Sequence, residues 1–173
     1  MRRFRSSHAA SHLVSFLGFV LFSLAMGDAR AEQPVQAGLK GVMAIRTAVT
    51  QTTPDAVNCG VDIKLHMEQL QRILREGGLV IAETSDTVAT ISFMVAHDPE
   101  RGVCATSSLL GAYRNVTFFD DKAGWLATGP VALWQRAMQS VASRANNAEA
   151  VTGMVNRLGA DLVTSWRQAN SAN

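Results

Sequence analysis

The segment Asn147–Asn170, NAEAVTGMVNRLGADLVTSWRQAN, decides how the rest of the chain is read. Within it Val151, Met154, Val155, Leu158, Leu162, Val163 and Trp166 recur at helical spacing, with Arg157, Asp161, Thr164 and Arg167 between them. One face of the resulting helix is apolar and the other meets water. Asn146 and Glu149 stand at the spacing of a capping box, in which each side chain satisfies a backbone donor left free by the first turn. Gly159 interrupts the stripe at about 1 kcal/mol relative to Ala, which this much burial outweighs. So wide a stripe needs a surface to cover, and the residues upstream read as the strands that supply it.

Working back, Trp125 to Ala142 carries both signals. Val131, Trp134, Met138 and Val141 have helical spacing, yet Gly129-Pro130 and the hairpin turn Asp120-Asp121-Lys122-Ala123-Gly124 before it favour a returning strand. Val103 to Phe118 is a long extended stretch rich in Ser, Thr, β-branched and aromatic residues, preceded by the turn His97 to Gly102. Leu79 to Ala82 and Val88 to Ala96 read as two further strands, the second with Ala89, Ile91, Phe93 and Val95 in alternation. Ile63 to Glu76 has a helical period through Ile63, Met67, Leu70, Ile73 and Leu74, with Asp62 as N-cap and Gly77-Gly78 as terminator. Residues 42–49 alternate as an opening strand with Met43, Ile45 and Val49 inward, and Thr52 to Gly60 is turn-rich.

The order β-α-β-β-β-β-α defines an α+β fold, a two-layer sandwich with a mixed, mostly antiparallel sheet and two helices on one face. The first two strands are expected to be parallel across a right-handed helical crossover, and the remaining strands to form a meander of hairpins.

The N-terminus reads as an export signal. Arg2, Arg3 and Arg5 precede the apolar run Leu13–Met26, and Ala29-Arg30-Ala31 supplies a small-x-small cleavage site. The run is shorter than the roughly 20 residues a spanning helix needs. The expected domains are therefore a signal peptide at 1–31 cleaved after Ala31, a mobile arm at 32–39 and one α+β domain at 40–173, located in the periplasm with no transmembrane span after cleavage. No Cys follows the apolar run to carry a lipid. Four of the 16 basic residues and one of the 14 acids lie in the signal, leaving 12 against 13 and a net charge of about −1. That balance excludes a nucleic-acid footprint, which needs Lys and Arg concentrated on one surface.

Cys59 and Cys104 are the chain's only cysteines, and in an oxidising compartment such a pair is most simply a structural disulfide. The surroundings of Cys59, Cys-Gly-Val-Asp, form no redox CxxC motif. Taken together, Cys59-Gly60-Val61-Asp62, Cys104-Ala105 and Trp166-Arg167-Gln168-Ala169-Asn170 resemble small exported proteins of Proteobacteria that carry no assigned activity, over most of residues 40–170. In layout alone, the strand-helix-strand opening also looks like the auxiliary subunits of lipid-handling ABC transporters and the N-terminal domain of the Tol system's periplasmic protein. Those likenesses imply an exported envelope domain, while fold-level analogy does not carry function.

No residue set qualifies as catalytic, cofactor-binding or metal-binding. His66 and His97 are 31 positions apart without companion ligands and read as a solvated helix edge and a turn residue. Asp120-Asp121, Asp98 and Glu100 read as turn acids. Ser107 and Ser108 lie in a strand rather than on a nucleophile elbow. The aromatics Phe118, Phe119 and Trp125 gather at the end of the long hairpin. The ordinary outcome is that they tuck under a helix, but an end projecting past the helices would expose them as a partner-binding patch. The favoured function is a non-enzymatic envelope accessory module whose partner is an unidentified envelope protein or an apolar ligand. The rival is a small periplasmic enzyme with a scattered site drawing on His97, Asp98 and Arg114.

Overall fold

The computed structural model describes residues 37–171, so the expected signal peptide and the expected cleavage after Ala31 lie outside the described residues. Five strands form one mixed sheet in the order β2-β1-β3-β4-β5. They are β1 Ala44–Thr52, β2 Val80–Ile81, β3 Thr87–Asp98, β4 Val103–Asp120 and β5 Trp125–Ser143. A short helix α1, Asp55–Asn58, and a longer one α2, Ile63–Glu76, separate β1 from β2, and α3, Arg144–Ser171, closes the chain. The fold is α+β in two layers, with α2 and α3 on one sheet face. No helix among the described residues is long and apolar enough to cross a membrane.

The start of α2 is set by Asp62, whose Oδ1 accepts the Leu65 N–H at 3.0 Å. Its end is set by Gly78 at φ 100°, a conformation that L side chains rarely adopt. Strand alternation then sorts the side chains. Ala89, Ile91, Phe93 and Val95 of β3 face the helices together with Cys104, Thr106, Ser108, Leu110 and Ala112 of β4. From the other side Leu70 and Leu74 of α2 and Val151, Val155, Leu158 and Leu162 of α3 close the core. The segment Trp125–Ser143 is a strand, as the Gly-Pro pair and the hairpin turn require, and its edge position tolerates Pro130.

Several expectations are corrected. The strands after the crossover do not all form a meander: β2 and β3 flank β1, both parallel to it, and only β3-β4-β5 is antiparallel. The linker between β2 and β3 passes the start of β1 and is held there, with Ser85 Oγ donating to the Ala44 carbonyl at 2.8 Å. In the opening segment Val42 and Ile45 are buried and Met43 is exposed, because Val42 precedes the strand and tucks beneath α3. The end of the expected mobile arm is ordered, Ala37–Leu39 forming a 3-10 turn with Leu39 in the core. The helix α3 begins at Arg144, directly after β5, so Asn146 and Glu149 lie inside it and do not form its cap.

Two glycines mark close approaches rather than breaks. A Cβ at Gly159 would lie 3.0 Å from a methyl of Ile73, so this position lets α3 approach α2. A Cβ at Gly38 would lie 2.5 Å from the Leu133 carbonyl, so the 3-10 turn rests directly on β5.

Candidate functional site

Beyond Arg114 the strand β4 loses its β3 neighbour, because β3 begins at Thr87, the partner of Arg114. The pairing with β5 continues to Asp120 and Trp125. Residues 115–120 and 125–130 therefore form a two-stranded ribbon that extends past the sheet by about 20 Å at 3.3 Å per residue. Its turn is built by Asp120, whose Oδ1 accepts from the N–H groups of Lys122 and Ala123 at 2.9 and 3.1 Å, and by Gly124 at φ 75°. Asp120 thus acts as the expected turn acid.

The aromatics expected at this end are exposed: Phe118 by 46%, Phe119 by 60% and Trp125 by 66%, joined by Leu126 at 70%. Register distributes them over both faces. Phe119 stands opposite Leu126, while Phe118 stands opposite Ala127 and next along from the Asp120–Trp125 pair. Directly opposed residues share a face. Phe118 and Trp125 therefore lie on the helix-side face and Phe119 and Leu126 on the other, so the end is a blade apolar on both sides rather than a single patch. Leu126 escaped the sequence reading, although its place beside Trp125 at the turn was a sufficient signal.

The open face of the sheet adds a second surface, a groove whose lining carries no charged residue. Met94, Ala96, Ala105, Ser107, Gln139 and Val141 line a shallow groove of about 330 Å³ there. Farther along, the Tyr113 ring lies over Gly111, whose missing side chain leaves the space.

The residues of the enzyme reading are not brought together. His97 and Asp98 end β3, whereas Arg114 pairs with Thr87 at its start. Eleven residues of extended strand separate the two ends, about 36 Å. Arg114 Nε donates to Thr87 Oγ1 at 3.1 Å and stands 3.3 Å from Asp86. Asp98 Oδ1 accepts from the N–H groups of Glu100 and Arg101. No group of three His, Cys, Asp or Glu able to hold a metal occurs among the described residues.

His66 is not a solvated helix edge: it is 1% exposed, its ring centroid lies 5.6 Å from that of Phe93, and Nδ1 meets Gln69 Oε1 at 3.3 Å. A row of polar side chains makes this burial tolerable, since Gln69 Nε2 in turn donates to Asn156 Oδ1 and the Thr152 carbonyl. His66 Nε2 and Ser108 Oγ are buried without a hydrogen-bond partner and are not bonded to each other. Sealed from solvent and unpaired, they lack the nucleophile–base contact that covalent catalysis needs.

Cys59 and Cys104 form the expected disulfide, with Cα atoms 6.0 Å apart, tying the end of α1 to the start of β4.

No protein-family model matches the chain, and no curated protein matches it. Among solved structures, the PelC dodecamer from Paraburkholderia phytofirmans is 14% identical, covering 76% of this chain and 89% of that one at a TM-score of 0.36. A minor lipoprotein from Acinetobacter baumannii is 10% identical, covering 72% and 91% at 0.27. The rare lipoprotein B from Shewanella oneidensis is 7% identical, covering 72% and 92% at 0.28.

Proposed function

We propose that the protein is a non-enzymatic accessory module of the bacterial cell envelope that holds a partner through the ribbon 115–130. One observation carries this reading: four large apolar side chains, Phe118, Phe119, Trp125 and Leu126, stand in water at the end of a ribbon that contributes nothing to the core. Surfaces of that kind mark contact sites, and aromatic anchors dominate binding energy. With both faces apolar, the ribbon suits insertion between two surfaces, such as a cleft in an envelope protein or the two walls of an apolar ligand site. The Cys59–Cys104 bond and the Ala29-Arg30-Ala31 motif behind the apolar run support an exported, periplasmic location.

The test is mild crosslinking and affinity capture from the periplasm, with the wild-type protein beside a Phe118→Ser, Phe119→Ser variant. The expected result is a defined protein or lipid retained by the wild type and lost from the variant. Equal recovery by both removes the ribbon from the reading, and recovery of nothing by either removes the binding class.

A further inference from the structure

The two edges of the sheet differ. One is β2, two residues long, and the other is β5, nineteen residues long. An unpaired edge is a template for another strand, and proteins blunt it with short length, Pro, bulges, Lys or a covering segment. At β5 these devices all sit at the ribbon end: Pro130, the irregularity that makes Leu133 the extra residue opposite Ala112 and Tyr113, and the 3-10 turn whose Gly38 rests on the Leu133 carbonyl. From Trp134 to Ser143, WQRAMQSVAS, there is no Pro, Gly or Lys. Here the register with β4 is unbroken, and β5 has no neighbour on its outer side among the described residues.

We propose that this stretch pairs antiparallel with the same stretch of a second copy of the chain. Two identical edges that pair antiparallel are related by a two-fold axis perpendicular to the sheet, which keeps open face beside open face. Opposed residues then differ by an even number and share a face. The stretch holds one charge, Arg136, already bound to Asp161 at 2.9 Å. An axis through Ala137, Met138 or Gln139 sets Arg136 opposite Met138, Ser140 or Ala142 of the second copy, so no like charges meet. An axis through Arg136 itself is excluded by the Arg–Arg opposition. The open-face side chains along the seam are Gln135, Ala137, Gln139 and Val141, all small or able to pair by amide hydrogen bonds.

The product is a continuous ten-stranded sheet with all long helices on one side. Its ribbons point to opposite ends, about 80 Å apart at 3.3 Å per residue. The inference is independent of the ribbon's role as a contact site, and the Phe118→Ser, Phe119→Ser variant should remain dimeric.

Sedimentation analysis of the purified, disulfide-intact protein should show a species of twice the chain mass. A Gln139→Lys, Val141→Lys variant alters only exposed positions and should raise the dimer dissociation constant about tenfold or more. Because either change could act elsewhere, Ala137→Cys and Gln139→Cys are oxidised separately and mixed. At least one of these three samples should give a covalent dimer, whereas Ala132→Cys should not. A monomer at every concentration, a dimer indifferent to both lysines, or no covalent dimer in any of the three samples overturns the proposal.

Discussion

The Asn147 side chain, buried in the first turns of α3, donates from Nδ2 to the Cys59 carbonyl at 2.9 Å. Its Oδ1 accepts from Thr106 Oγ1 at 3.0 Å, and Thr106 stands two residues beyond Cys104 on the same face of β4. One amide therefore joins α3 to the two elements that the disulfide ties together. Asn147→Ala leaves two buried groups without partners, each worth about 1 to 3 kcal/mol. Urea unfolding should show a loss of about 2 to 6 kcal/mol, and a loss under about 1 kcal/mol would mean the amide is dispensable.

The disulfide closes 45 positions of chain, and in the chain-entropy model its loss costs about 4 kcal/mol. Cys59→Ser, Cys104→Ser should lower stability toward that figure. Combined with Asn147→Ala the losses should fall short of additive, because both devices hold the same elements. Thiol titration of the denatured, unreduced protein should find no free sulfhydryl; two free thiols would contradict the bond.

Leu158 and Leu162 are fully buried on the sheet side of α3. Leu158→Ala or Leu162→Ala should each cost about 2 to 5 kcal/mol in equilibrium unfolding. Losses under about 1 kcal/mol at both would show that α3 does not carry the core.

The glycines of α3 separate helix propensity from packing. Nothing lies within 4 Å of a Cβ built at Gly153, whereas one at Gly159 meets Ile73 and Leu70. Gly153→Ala should therefore stabilise by about 0.5 to 1 kcal/mol, the ordinary propensity gain. Gly159→Leu should destabilise by about 1 to 3 kcal/mol through overpacking. Thermal midpoints that move the same way for both would remove Gly159 as the contact point between the helices.

What was legible in the sequence was local. The period of Val151 to Trp166, the Asp62 cap and Gly77-Gly78 each signal through neighbours a few residues away, so the helices and the element order could be read. The misreadings share a cause in contacts between distant segments. Val42 and Leu39 are buried where α3 holds their backbone, the Trp166 indole donating to the Val42 carbonyl at 2.7 Å and Asn170 Nδ2 to the Leu39 carbonyl at 3.0 Å. His66 looked solvated because it sits on the flank of the α2 stripe, and the Asn156 side chain that completes its Gln69 network comes from another helix. The division of Phe118 and Phe119 between two faces follows from alternation alone, but which of Trp125 and Leu126 shares a face with each required the register that only the paired strands define.

The ribbon itself gives the last expectation. Phe119 and Leu126 oppose each other on the open face and are 60% and 70% exposed. Two side chains that the fold leaves in water add little to it, and exposed substitutions away from caps, charges and buried networks usually fall within about 0.5 kcal/mol. Phe119→Ser, Leu126→Ser should therefore unfold with an unchanged urea midpoint while losing whatever the ribbon binds. The cross-strand contact at one pair contributes about 0.2 to 1 kcal/mol, which sets the largest loss consistent with a surface role. A drop of about 2 kcal/mol or more would show instead that the pair anchors the hairpin, and the ribbon would then be a structural extension of β4 and β5 rather than a contact element.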